Sequence, residues 1–108
     1  MDDEQTPGGA LFWDLAAEFQ AADERVNEGT IMGSPCLRVG EEFLAMPHHE
    51  KDGLVVKLPA DRVSAIVDSG GGESFAPAGK VFKEWLAVTD LDEDRWRSLL
   101  AEGIDFVG

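Results

Sequence analysis

The chain's only cysteine, Cys36, and its only two histidines, His48 and His49, all lie in "GTIMGSPCLRVGEEFLAMPHHE", residues 29–50. A thiol beside an imidazole could be a nucleophile with its base, and a thiol with two imidazoles could belong to a metal cage. The spacing argues against both. A structural zinc needs a complete tetrahedral set of ligands, usually presented as close pairs on a short turn. Adjacent histidines on a strand point to opposite faces, so His48 and His49 cannot both easily meet Cys36. A catalytic thiol needs a neighbour that depresses its pKa, an oriented base and an oxyanion hole. Cys36 instead follows Ser34-Pro35 at the start of a strand-like run. The stretch reads as an apolar strand cysteine and a polar hairpin tip. No catalytic residue, metal site or cofactor is assigned.

A phosphate loop fares no better. In "SFAPAGKV" the Walker pattern would need Gly where Ser74 stands and Ser or Thr where Val81 stands. Gly70 to Gly72 lacks the spacing of a dinucleotide loop. More informative are the bases Arg38, Lys57 and Lys83, all on strand-like segments. Alternation turns Arg38 and Lys57 away from the core face, and Lys83 and Trp85 could join them. Such a face suits an anionic or peptide ligand. Its plainer alternative is a solvated surface of Lys–Glu cross-strand pairs, each worth about a few tenths of a kcal/mol.

The elements that would position these residues follow from periodicity. Residues 1–9 read as a flexible acidic arm ending in Pro-Gly-Gly. Residues 10–26 read as a helix, with Phe12, Leu15, Ala16, Phe19, Ala22 and Val26 along one face. From Thr30 the period shortens, and "TIMG", "CLRV", "EFLAMP" and "LVVKL" form a meander of three or four antiparallel strands. Leu37, Val39, Phe43, Leu54, Val56 and Leu58 are expected on its core face, with Met46 and Val55 opposite. A short helix over "LPADRVSAIVDSG" buries Val63, Ile66 and Val67, with Pro59 in its first turn and Gly70 as its stop. Strand-like "ESFAPAG" and "KEWLAVT" follow. A last helix is capped by Asp92 and stapled by Leu91 against Trp96. Neighbouring strands usually pair, so the expected architecture is α+β: one antiparallel sheet with helices on one face.

Composition bounds the rest. A chain of 108 residues that is 44% hydrophobic makes one folded domain, here residues 10–108. Twenty-two acidic against nine basic residues leave a net charge of −13. That works against nucleic acid and against anionic lipid, both of which are gripped by Lys and Arg. No apolar run is long enough to span a membrane, the acidic start is unlike an export signal, and a single cysteine fits a reducing compartment. The expectation is a cytoplasmic monomer or homodimer.

The segments "GTIMGSPCLRV", "LVVKLPADRV", "FAPAGKVFKEWLAV" and "RWRSLLAEGIDFVG" resemble the small bacterial domains of the TfoX N-terminal and MmcQ/YjbR-like group. The likeness covers residues 11–108, and its most specific pieces are Lys57-Leu58-Pro59 and Glu84-Trp85. It implies a two-layer α/β sandwich in the order α-β(3)-α-β(2)-α, as in secretion chaperones. It also implies a DNA-binding or competence-type role, which the charge opposes. The functional expectation is a non-enzymatic module that binds a protein or peptide through a sheet face bearing Arg38, Lys57, Lys83 and Trp85. Nucleic-acid binding stands second, and a thiol or metal-dependent enzyme using Cys36, His48 and His49 stands third.

Overall fold

The computed structural model describes residues 6–31, 33–48, 52–76, 79 and 81–108. Helix α1 spans Pro7–Ala22, followed by strands β1 (Val26–Ile31), β2 (Ser34–Val39), β3 (Glu42–His48) and β4 (Gly53–Lys57). Helix α2 (Ala60–Asp68), strands β5 (Glu73–Phe75) and β6 (Phe82–Val88), and helix α3 (Glu93–Val107) complete the order. The six strands form one antiparallel sheet in the order β1-β2-β3-β4-β6-β5. The fold is α+β, and its first run holds four strands, the larger of the two counts expected.

Each helix starts where its sequence allows. The Thr6 hydroxyl accepts from the Gly9 amide and Pro7 fills the first position, where its missing N–H leaves no bond unmade. The helix therefore opens inside the segment expected to be an arm, and residues 1–5 lie outside the described residues. It also ends sooner than the apolar spacing suggested. Asp23 closes it by donating its N–H to the Phe19 carbonyl, and Val26 becomes the first residue of β1. Helix α2 stops as expected at Gly70, whose φ of 84° is open to glycine without strain. Asp92 caps α3 by accepting from the Arg95 amide, and Glu93 and Asp94 complement the helix dipole. Leu91, the expected staple residue, is 48% exposed, while Trp96 is fully buried and donates Nε1–H to the Asp90 carbonyl at 2.8 Å.

The main core lies between the sheet and the three helices. Phe12, Leu15, Trp96, Leu99 and Leu100 pack there against Leu37, Val39, Leu54, Val56, Leu58, Leu86 and Val88. Gly53 lets two central strands come together, since a Cβ on it would sit 2.1 Å from the Val88 carbonyl oxygen. Among the described residues no helix covers the opposite sheet face. It holds a second, smaller cluster in which Cys36, Met46 and Val55 are buried beneath half-buried Ile31, Phe43, Phe75 and Trp85.

Two irregularities in the sheet decide which side chains reach that face. Leu37 pairs with Ala45 but Arg38 pairs with Phe43, so Leu44 is an extra residue in β3. One extra residue reverses the alternation beyond it. Leu44 and Ala45 are therefore both buried in the main core, and Phe43 turns away from it. The expectation that Phe43 shares the core face is corrected by this bulge. A larger shift between β5 and β6 sets Ser74 opposite Leu86 but Phe75 opposite Phe82, three residues out of step. It brings the Phe82 ring against Trp85.

Candidate functional site

The uncovered sheet face carries a row of aromatic rings. Phe43 stacks on Trp85 with centroids 4.5 Å apart, and Trp85 stacks on Phe82 at 4.7 Å. Phe75 lies 5.5 Å from Trp85 in a near-parallel stack, and His48 meets Phe75 edge-on at 5.5 Å. These rings come from β3, β5 and β6, and the adjacent β4 contributes the buried Val55 beneath them. The aromatics stand half-exposed over a buried floor of Cys36, Met46 and Val55. A half-exposed apolar row with a rigid floor offers contact area at small entropic cost, because the rings are already held by one another.

Of the residues expected at the site, Trp85 is central to this row. Lys57 sits directly opposite Trp85 in the β4–β6 ladder. Its Nζ lies 4.0 Å from Glu84 Oε1, a loose and partly exposed pair that restrains the ammonium weakly. Arg38 is on the same face but reaches toward the sheet edge, where its Nη2 donates to the Thr30 carbonyl at 2.8 Å. Lys83 is not part of the row. It lines a shallow depression with Ser64, Val67 and Asp68 of α2. The out-of-step pairing of β5 with β6 explains the discrepancy, since plain alternation would have kept Lys83 with Trp85. Phe43, Phe75, Phe82 and His48 were not expected at the site.

The thiol and the described imidazole are both buried. Cys36 is fully buried in the floor of the aromatic row, out of reach of a substrate. His48 is buried at the end of β3 against Phe75, and His49 lies outside the described residues. Among the described residues no three Cys, His, Asp or Glu side chains gather so as to hold a metal ion.

Among the described residues, forked ion pairs join the helices. Arg97 of α3 forks onto Glu18 of α1 at 2.7 and 3.1 Å and also reaches Glu93, and hydrogen bonding to Arg97 lowers the Glu18 pKa. Arg62 forks onto Glu102 at 2.9 and 3.1 Å, tying α2 to α3. Arg25 and Arg95 are likewise paired, with Asp23 and Asp90. The arginines of the helices and of the α1–β1 turn are thus matched to carboxylates, whereas among the described residues Arg38 has no carboxylate partner.

The chain matches no family model, no curated protein and no solved structure.

Proposed function

We propose that this chain is a non-enzymatic binding module that takes a protein or peptide ligand on the sheet face opposite its helices. The observation that carries the reading is the row Phe43–Trp85–Phe82 with Phe75 beside it, stacked, half-exposed and left uncovered by the helices. Exposed apolar groups that are contiguous and rigidly supported are characteristic of interaction surfaces, and aromatic residues are enriched at their centres. In this reading Lys57, opposite Trp85 in the ladder, meets a carboxylate of the ligand.

Nucleic acid fits this face less well. Single-stranded bases stack on free aromatic faces within a positive groove. Here the rings already stack on one another, and the net charge of −13 opposes a polyanion. Membership of the TfoX N-terminal and MmcQ/YjbR-like group is part of the proposal, resting on Lys57-Leu58-Pro59 and Glu84-Trp85. So is a cytoplasmic location. On the structural side, no helix among the described residues is long and apolar enough to cross a membrane.

The test is affinity capture from native lysate at mild salt with four baits: wild type, Trp85→Ala, Lys57→Glu and the helix-layer control Phe106→Ala. A ligand retained by wild type and control, and lost from the two sheet-face variants, supports the reading. Identical capture by all four baits, or none by any, ends it. Circular dichroism of each bait establishes that binding, and not folding, was changed.

A further inference from the structure

The sheet has two edges of different character. Strand β5 is short and out of step with its neighbour, a form that resists pairing with a foreign strand. Strand β1 is six residues long, pairs with β2 in unbroken register, and contains neither proline nor lysine. Of the ordinary devices of edge protection it carries only the charge of Glu28.

The hydrogen bonds along β1 show a different kind of guard. Gly40 donates its N–H to the Arg25 carbonyl at 2.8 Å, which makes Arg25 and Gly40 a hydrogen-bonded pair. In an antiparallel ladder such pairs alternate with pairs whose backbone groups face away. Asn27, Gly29 and Ile31 therefore turn their N–H and C=O toward β2, and Val26, Glu28 and Thr30 turn theirs outward along the free edge. Two of these outward groups are already taken. The Val26 N–H donates to the Asp23 carbonyl at 3.0 Å, and the Thr30 carbonyl accepts from Arg38 Nη2 at 2.8 Å. To reach Thr30, the Arg38 side chain lies over Gly29, where a Cβ would come within 2.5 Å of Arg38 Nε.

We propose that Arg38, folded over Gly29 onto the Thr30 carbonyl, is an edge guard that keeps β1 from pairing with the β1 strand of a second copy of this chain. The two longest β1–β1 antiparallel pairs draw on the outward groups of Val26, Glu28 and Thr30. If Glu28 faces Glu28 of the other copy, Val26 faces Thr30 and both of the occupied groups are needed. If Glu28 faces Thr30, the Thr30 carbonyl is needed again. Each of these registers requires displacing Arg38, and the first also sets like charges opposite one another. The guard goes beyond the ligand role considered for Arg38 and does not depend on what binds the aromatic row.

Arg38→Ala removes the guard, and Gly29→Ala displaces it while leaving the arginine in the chain. The first change takes the net charge from −13 to −14, one base fewer, so it cannot promote association by easing repulsion. Sedimentation across a concentration series should show both variants self-associating about tenfold more tightly than wild type. Hydrogen exchange should show the Glu28 and Thr30 amides gaining protection as concentration rises, in the variants only. The proposal is overturned if either folded variant associates as wild type does. It is also overturned if association leaves those two amides unprotected, or if wild type already protects them on concentration. Should Arg38→Ala fail to fold, Gly29→Ala decides alone.

Discussion

Phe43 and Trp85 stack at 4.5 Å although they belong to strands that do not pair, since β4 runs between β3 and β6. The two rings close over the middle of the sheet and help roof the cluster of Cys36, Met46 and Val55. The same contact serves stability and the proposed binding surface, and the two contributions can be separated. Trp85→Ala should cost about 2 kcal/mol from lost apolar burial. A double-mutant cycle with Phe43→Ala should return a coupling of about 0.5–1.5 kcal/mol, measured by urea denaturation. Phe43→Leu should restore most of the stability and little of any ligand affinity.

Cys36 should behave as a core residue. Its thiol is fully buried, so iodoacetamide should modify the native protein about 100-fold more slowly than the urea-unfolded chain, the reaction waiting on local opening. Trp85→Ala should speed the native reaction by thinning the roof. Rapid labelling of the folded wild type would show that the floor of the row is not closed.

Asp52 should prove to be the residue that anchors the start of α1. It sits in the β3–β4 turn at φ 54°, a conformation that aspartate tolerates better than most residues. Its carboxylate accepts from the Thr6 hydroxyl and, at 3.2 Å, from the Gly8 amide. Asp52→Ala loses both bonds and strains the backbone, at an expected cost of about 2 kcal/mol. Asp52→Gly keeps the backbone relaxed and Asp52→Asn keeps an acceptor, so denaturation midpoints should rank Asn above Gly above Ala.

The acid limb of the stability curve should carry the mark of Asp23. Arg25 bonds both of its oxygens, at 3.1 and 2.8 Å, and this hydrogen bonding holds the carboxyl down to about 2. A folded pKa below the unfolded one contributes stability that is present above the ordinary aspartate value of about 3.9 and lost as pH falls toward 2. Carboxyl-detected NMR should place the Asp23 midpoint near 2, and Asp23→Asn should flatten stability against pH through that window. Glu18 shifts in the same direction through Arg97, so Arg97→Met should raise its midpoint.

The amino-acid order was enough to specify most of the fold. The caps at Asp92 and Gly70, the buried stripe of Trp96, Leu99, Leu100 and Ile104, and the strands on either side of Gly40-Glu41 all follow from local rules that the structure obeys. Those features rest on contacts within a few residues, where periodicity and capping chemistry speak directly. Alternation also placed Arg38, Lys57, Met46 and Val55 on the face away from the helices. It misled at Phe43 and Lys83. Each lies beyond an irregularity that adds an odd number of residues, and an odd shift exchanges the two faces of a strand.

What only the tertiary structure decided is therefore the character of the open face. Phe43, Phe75, Phe82 and Trp85 are scattered over some forty residues of chain, and nothing local marks them as one row. They meet because β3 and β6 flank β4 and because the two register shifts turn Phe43 and Phe82 outward. Arg38 shows the same division. Alternation identified it as a cation on the uncovered face, but its engagement with Thr30 needed β1 laid beside β2 with glycine beneath the guanidinium. A bulge or a cross-strand contact is chosen by the packing of the whole sheet, whose energy is nonlocal, and a single strand's sequence does not contain it.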